Sequence, residues 1–228
     1  MTLPPVITLD GPASVGKTTV AHAIATQFGY LLIDTGAFYR AVALAALRAN
    51  VPIGDAERLI ALAAQLQIEV LPADGSNGVF YRLRLNGEDV TAAIRSADVE
   101  QIVSQVAAVQ GVRQVLNATF RRLAAQHPRV IMVGRDIGTV VLPDAALKIY
   151  LDASPEVRAE RRRKQTGEPT SQDIQQALEQ RDQRDSQTTL FYPAQDAHYI
   201  DTGNLSIQAV IARVQDLIAD WQARHGQT

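Results

Sequence analysis

Short apolar runs recur along the chain, and each has a helical pattern close to it. Five of them resemble strands buried on both faces: Val6–Leu9, Tyr30–Ile33, Val130–Val133, Leu147–Leu151 and Tyr199–Asp201. Their alternation with helices predicts an α/β fold in which helices flank a five-stranded parallel sheet. Open sheets of this kind bind ligands at the carboxyl ends of their strands. The polar residues at those ends, which are therefore candidates, are Asp10, Asp34, Gly134-Arg135-Asp136 and Asp152.

One stretch changes from this pattern to antiparallel strands. Gln67–Leu71 and Val79–Leu85 flank a turn-rich segment, and Asn86-Gly87 has the residue types of a tight hairpin turn. We predict a small antiparallel β insert over about residues 67–90.

A second stretch carries a run of basic residues, Arg158-Ala159-Glu160-Arg161-Arg162-Arg163-Lys164. Such a run is usually a solvated helix face, but in a phosphate-transferring enzyme it is also typical of a closing lid. We favour a lid over residues 158–169, because of the motif that follows the first strand.

That motif is Gly11-Pro12-Ala13-Ser14-Val15-Gly16-Lys17-Thr18, which fits G-x-x-x-x-G-K-[ST]. A predicted strand precedes it and a predicted helix, Thr18–Phe28, follows it, as a phosphate-binding loop (P-loop) requires. Backbone amides and the helix N-terminus would hold phosphate oxygens, Lys17 would reach the β/γ-phosphates, and the Thr18 hydroxyl would hold Mg²⁺. The motif alone does not choose between kinases, GTPases, motors and transporters.

Composition narrows the choice. Hydrophobic residues make up 46% of the 228 residues, and 22 basic residues against 24 acidic ones argue against a nucleic-acid-binding domain. The chain has no cysteine, its four histidines show no metal-ligand spacing, and no run approaches the ~20 apolar residues of a membrane span. Without a leader-like N-terminus or an exposed apolar repeat, we expect a cytoplasmic monomer.

A second constellation, Asp34-Thr35-Gly36-Ala37-Phe38-Tyr39-Arg40, follows the second strand. Asp34 or Thr35 could cap a helix that runs to Asn50. Capping does not require Arg40, and Thr35 with Arg40 could bind the phosphate of an acceptor.

Together these motifs resemble bacterial cytidylate kinase, a nucleoside monophosphate (NMP) kinase family, from about Pro5 to about Val214. Further matches are Ser104–Ala108 with Val112-Arg113, the specific run Gly134–Pro143 (G-R-D-x-G-T-x-V-x-P), Leu151–Arg162, Arg181–Ser186 (R-D-x-x-D-S) and Tyr199–Thr202. The resemblance implies a P-loop kinase that phosphorylates CMP and dCMP with ATP and Mg²⁺. It also implies a core of residues 1–34 and 98–228, an NMP-binding domain of residues 35–97 that carries the β insert, and the short lid.

The resemblance also implies roles for individual residues. ATP would contact Gly11, Pro12, Ala13, Ser14, Val15, Gly16, Lys17, Thr18 and Thr19. Lys17, Arg135, Arg158 and Arg162 would be catalytic. CMP would contact Thr35, Arg40, Ser104, Arg113, Arg135, Asp136, Arg181 and Asp185. Among these, Asp136 and Ser104 would face the cytosine amino group, Arg113 the ring, and Arg181 and Asp185 the ribose.

In one place the chain departs from the family. Where members commonly carry an arginine that contacts the acceptor phosphate, this sequence has Gln187-Thr188-Thr189. We therefore expect weaker acceptor binding, with Arg40 and Arg135 alone, Arg184 or a lid arginine in that role. Another small P-loop kinase, for UMP, AMP or a metabolite, remains the alternative function.

Overall fold

The computed structural model describes residues 2–166, 171–187 and 192–226. Its strands are β1 (Val6–Asp10), β2 (Leu31–Asp34), β3 (Ile68–Pro72), β4 (Tyr81–Leu85), β5 (Glu88–Asp89), β6 (Val130–Val133), β7 (Leu147–Asp152) and β8 (His198–Asp201). Its α-helices are α1 (Lys17–Phe28), α2 (Thr35–Arg48), α3 (Ala56–Gln65), α4 (Ala97–Ala108), α5 (Gln110–Gln126), α6 (Pro155–Thr166), α7 (Ser171–Ser186) and α8 (Ile207–His225).

The main sheet has five strands in the order β2-β6-β1-β7-β8. Strand β1 lies at its centre and pairs in parallel with β6, from Val6↔Val130, and with β7, from Ile7↔Leu147. Each of the five strands predicted for this sheet overlaps an observed one, with bounds that differ by one residue at most. The predicted α/β class with its parallel sheet is confirmed.

The chain divides into two compact units, residues 1–31 with 128–228 and residues 32–127. In the first unit, α1 packs against β6 and α8, and α6 packs against α7. Its core includes the fully buried Ile7, Leu9 and Ile24. No helix within the described ranges is both long enough and apolar enough to cross a bilayer. The functional domains predicted from the sequence, including the NMP-binding domain of residues 35–97, stay a prediction.

The second unit combines four helices with the small antiparallel sheet β3-β4-β5. Helix α2 packs against α5, where the rings of Phe38 and Phe120 meet edge to face at 5.1 Å. The predicted hairpin turn joins β4 to β5, with Asn86 at φ 50° and Gly87 at φ 85°. Two consecutive positive φ values characterise the two-residue hairpin turn that Asn-Gly favours, and the predicted insert is confirmed.

Candidate active site

The predicted phosphate loop connects β1 to α1, and two glycines shape it. Gly11 has φ 139°, and a Cβ at this position would lie 2.0 Å from the carbonyl oxygen of Leu151 on the neighbouring strand. Gly16 has φ 95° and is the N-cap of α1. Because side chains rarely adopt these φ values and no space exists at Gly11, the loop requires glycine at both positions.

Two of the predicted catalytic cations meet inside this loop. The Nζ of Lys17 donates hydrogen bonds to the carbonyl oxygens of Gly11, at 2.7 Å, and of Pro12, at 2.6 Å. The Nη1 of Arg135 donates to the same Gly11 oxygen at 3.0 Å. Both charges therefore lie beside the first turn of α1, where the backbone amides already attract anions.

Thr18 follows Lys17 in the first turn of α1. Groups of three or more histidine or acidic side chains that could hold a metal do not occur among the described residues. A neutral hydroxyl with no surrounding carboxylate cluster suits Mg²⁺, which usually keeps water ligands and takes others from the substrate's phosphates. The residues present thus fit a magnesium ion that arrives with the nucleotide.

Arg135 also joins the loop to α7. Its Nε donates to Asp185 Oδ2 at 3.1 Å, and the Nε of Arg181 lies 4.0 Å from that same oxygen. Arg181 and Asp185 lie four residues apart, on one face of α7, and Asp185 Oδ2 lies near both guanidinium groups. The closer partner of Asp185 is Arg135, a contact that the sequence did not reveal.

Asp136 is 5% exposed and lies between Arg135 and a short π-helical turn of residues 137–141. The carbonyl oxygen of Asp136 accepts hydrogen bonds from Val140 and Val141 in this turn. The backbone amides of Ile137 and Gly138 donate to the two carboxylate oxygens of Asp10. The specific motif Gly134–Pro143 thus folds against the end of β1.

Burial raises the pKa of Asp10 from its ordinary value of 3.8 to about 6. The amides of Gly138 and Ile137 oppose this increase, as does the charge of Lys17, whereas the Asp136 carboxylate adds to it. The sequence marked Asp10 as a strand-end polar residue, but assigned no role to it.

The predicted lid begins within α6, and its first arginine is not on the surface. Arg158 is 5% exposed, its Nε donates to the carbonyl oxygen of Ala153 at 3.2 Å, and its Nη1 pairs with Asp182 of α7. Arg162, the other predicted catalytic arginine of the lid, is half-buried. Lid residues 167–169 and the departure at Thr188 and Thr189 lie outside the described residues.

A cavity of about 420 Å³ opens beside Arg158. Pro12 of the loop, the ends of β7 and β8, and the start of α6 line it, with Asp152, Asp182 and Asp201 as its acidic residues. It adjoins the phosphate loop in the same unit, so it offers space next to the loop for the rest of a nucleotide.

The remaining candidates lie in the second unit. Asp34 caps α2 by accepting from the Gly36 amide at 3.0 Å, and Thr35, the first residue of this helix, is 5% exposed. Arg40 pairs with Glu100 and also donates to the carbonyl oxygen of Ile94. Of the two predicted alternatives, Asp34 and Thr35, the N-cap of α2 is Asp34.

Two further candidates lie on α4 and α5 of this unit. Arg113 is 6% exposed, and its guanidinium lies over the ring of Tyr39, 5.7 Å from the centroid. Ser104 is half-buried on α4. A buried guanidinium is costly unless bonded groups hold it, which is typical of functional arginines.

Comparison with known proteins gives these residues a context. A family model described as Cytidylate kinase matches residues 7–220. The chain is 44% identical to a cytidylate kinase of Roseiflexus castenholzii over 225 residues, which cover 96% of each protein. It is also 44% identical to a cytidylate kinase of Herpetosiphon aurantiacus, again over 96% of both.

Among solved structures, a gluconokinase from Sinorhizobium meliloti superimposes with a TM-score of 0.50 over 99% of both chains, at 14% identity. That likeness concerns the fold alone. The family match spans the loop at Gly11–Thr18, the segment Gly134–Pro143 and the helices that carry the other candidates, and on this evidence the chain belongs to the cytidylate kinase family.

Proposed function

We propose that this protein transfers the γ-phosphoryl group of ATP to CMP or dCMP, forming ADP and CDP or dCDP. One observation carries the proposal: Lys17 and Arg135, from two motifs far apart in the chain, both donate to the Gly11 carbonyl oxygen of the phosphate loop. Two cations at a helix N-terminus suit the transfer of phosphoryl groups between anions, since charge neutralisation and alignment supply most of the catalysis.

The acceptor's chemistry explains why no general base is needed. The attacking atom is an oxygen of the CMP phosphate, which is already ionised, so no proton must be removed before attack. The chain's own residues align two phosphates that repel each other, and arginine's planar fork is suited to that task. Bound through Thr18, Mg²⁺ would neutralise charge on the transferred phosphate.

The individual contacts are part of the proposal. In residues 1–31 and 128–228, Lys17 and Thr18 serve ATP and its Mg²⁺, and Asp136 accepts from the cytosine amino group. Arg181 and Asp185 contact the ribose hydroxyls, and Arg158 and Arg162 of the lid, residues 158–169, join Lys17 and Arg135 in neutralising the transferred phosphate. Burial of Asp136 supports its role, because water does not compete for a buried acceptor.

In residues 32–127, Thr35 and Arg40 serve the acceptor phosphate, while Ser104 and Arg113 serve the base. Uracil presents the opposite donor and acceptor pattern at its ring nitrogen and exocyclic oxygen. Uracil would offer Asp136 no amino group and would present Arg113 with the opposite donor and acceptor pattern, which supports strong discrimination in favour of cytosine. The expected monomeric state and cytoplasmic location stay predictions, which light scattering after size exclusion and cell fractionation would test.

A coupled assay of ADP release with CMP, dCMP, UMP and AMP tests the reaction itself. We expect CMP and dCMP to give the highest kcat/KM. Faster turnover of UMP or AMP would contradict the proposed base recognition, and equally fast ATP hydrolysis without an acceptor would contradict the kinase reaction.

A pair of charge-matched variants tests the carrying observation. Arg135→Met should lower kcat/KM for CMP by about 100-fold or more, as loss of a cation at a transferred phosphate does. Arg82→Met removes an equal charge from the exposed surface of the β insert and should leave the rate unchanged. Equal effects of the two substitutions would refute a specific role for Arg135.

A further inference from the structure

Asp10 is the last residue of the central strand β1, and both of its carboxylate oxygens accept hydrogen bonds. Oδ1 accepts a hydrogen bond from the Ile137 amide at 2.8 Å, and Oδ2 accepts one from the Gly138 amide at 2.7 Å. The side chain is 6% exposed, so water does not substitute for either bond.

The two amides belong to the start of the π-helical turn 137–141. The first amides of any helical turn lack partners within it, and when buried they must find an acceptor elsewhere. Asp10 supplies that acceptor across 127 and 128 residues of sequence. Two short, charge-assisted bonds fix both the position and the direction of the turn.

No side chain fits at Gly138, which shows how closely the turn approaches β1. A Cβ there would lie 2.9 Å from Thr8 Oγ1 and 3.3 Å from Asp10 Oδ2. The glycine of the G-R-D-x-G-T motif therefore permits the contact with Asp10.

Asp136 is held from both sides by this arrangement. The residue before it, Arg135, donates to the carbonyl oxygen of Gly11, and the two residues after it donate to Asp10. Asp10 at the end of β1 and Gly11 in the phosphate loop thus hold the segment on which Asp136 lies.

We propose that Asp10 is a positioning residue for acceptor recognition: by holding the Ile137 and Gly138 amides, it sets the placement of Asp136 toward the cytosine amino group. This inference rests on the proposed function and deepens it. Asp10 itself touches neither substrate. It acts on the base through the backbone that follows Asp136.

Asp10→Asn tests the proposal. The amide side chain has similar size but only one acceptor oxygen, and its NH₂ group would face a backbone N–H. We expect KM for CMP to rise about tenfold or more, with the preference for CMP over UMP falling by a similar factor, as for loss of a charge-assisted bond. KM for ATP should stay within about twofold, because the loop's own contacts to Lys17 remain.

Thr8→Val is the matched control. Thr8 is fully buried on the same strand, lies against the same turn, and its hydroxyl has no hydrogen-bond partner. This substitution should change neither KM nor the preference for CMP. If Asp10→Asn does not fold, Gly138→Ala displaces the same turn while Asp10 stays intact, and we expect the same split between the two KM values.

The outcomes separate this inference from the proposed function. A wild-type protein that does not phosphorylate CMP overturns the proposed function and this inference with it. Normal turnover by the wild type, together with an unchanged CMP preference in a folded Asp10→Asn or Gly138→Ala variant, overturns only the inference. Equal increases in KM for ATP and CMP would also overturn it, because they indicate a general structural role.

Discussion

Asp10 should make the stability of the protein fall as pH rises through the weakly acidic range. Its pKa in the folded protein is about 6, whereas the ordinary value of an aspartate is 3.8. Between these values the folded state holds a proton that the unfolded chain has released. The unfolded state binds fewer protons there, so the free energy of unfolding decreases with increasing pH.

The difference between about 6 and 3.8 corresponds to about 3 kcal/mol, at about 1.4 kcal/mol for each unit of pKa. The contribution is fully present below pH 3.8 and is lost as pH rises through about 6. About 2 kcal/mol of the loss falls between pH 4.5 and 7.5. Asp10→Asn removes the titrating group and should abolish this part of the pH dependence.

Urea unfolding of the wild type and Asp10→Asn at several pH values between 4.5 and 7.5 measures the effect. Trp221 is the single tryptophan and lies on α8, in the same unit as Asp10, so its fluorescence reports unfolding of that unit. The wild-type stability relative to the variant should decline by about 2 kcal/mol over this range. Other titrating groups are common to both proteins and cancel in the difference.

A constant difference across this range would refute the reasoning, because it would mean that Asp10 titrates equally in both states. A difference that increases with pH would refute it more directly. Such a result would place the folded pKa of Asp10 below 3.8, with the attraction of Lys17 and the two amides outweighing burial.

Two other substitutions, each with a control variant, test the packing of the loop and lid. Gly11→Ala should cost at least about 3 kcal/mol of unfolding free energy in urea titrations and abolish ATP binding by calorimetry, since its Cβ would overlap the Leu151 carbonyl. Gly29→Ala, with φ 71° but open space, should cost only about 1 kcal/mol, and equal costs would contradict the steric argument. Asp182→Asn should cost about 3 kcal/mol because it leaves Arg158 buried without its carboxylate, and the double variant Arg158→Met/Asp182→Leu should recover most of that loss. No recovery in the double variant would contradict the ion-pair explanation.

The sequence predicted the bounds of the five parallel strands closely, because strands buried on both faces consist of nearly continuous apolar runs. It also predicted the hairpin at Asn86-Gly87, where the turn geometry depends on those two residues alone. The sequence left Asp34 and Thr35 as alternative N-caps of α2, and the structure shows that Asp34 is the cap. Local signals of this kind require no knowledge of distant parts of the chain.

The π-helical turn 137–141 was not predicted, because it depends on a contact with a distant part of the chain. Five residues carry no periodicity, and the acceptor for the turn's first amides is Asp10, more than 120 residues away. The ion pair of Arg158 with Asp182 was also not predicted, because it joins two different helices, α6 and α7. Asp182 lies within the recognised motif Arg181–Ser186, but the motif does not name its partner. The roles assigned to Ser104 and Arg113 rest on resemblance, and substrate-dependent measurements must test them.

The two most specific motifs of the chain form one hydrogen-bonded structure. Strands β1 and β6 are neighbours, so the segments that follow them emerge side by side, and the Gly134 amide still donates to the Leu9 carbonyl oxygen. Beyond the paired residues, Gly11 accepts a hydrogen bond from Arg135, and Asp10 accepts hydrogen bonds from the two residues that follow Asp136. With the proposed role of Asp136, a substitution at Asp10 should therefore alter the choice of acceptor base, although Asp10 lies on the strand that leads into the phosphate loop. Ionising a buried carboxylate at neutral pH costs stability, and only the charged form offers acceptors to both amides without a competing proton. We infer that the ionised Asp10 holds the Ile137 and Gly138 amides at the expense of the free energy of folding.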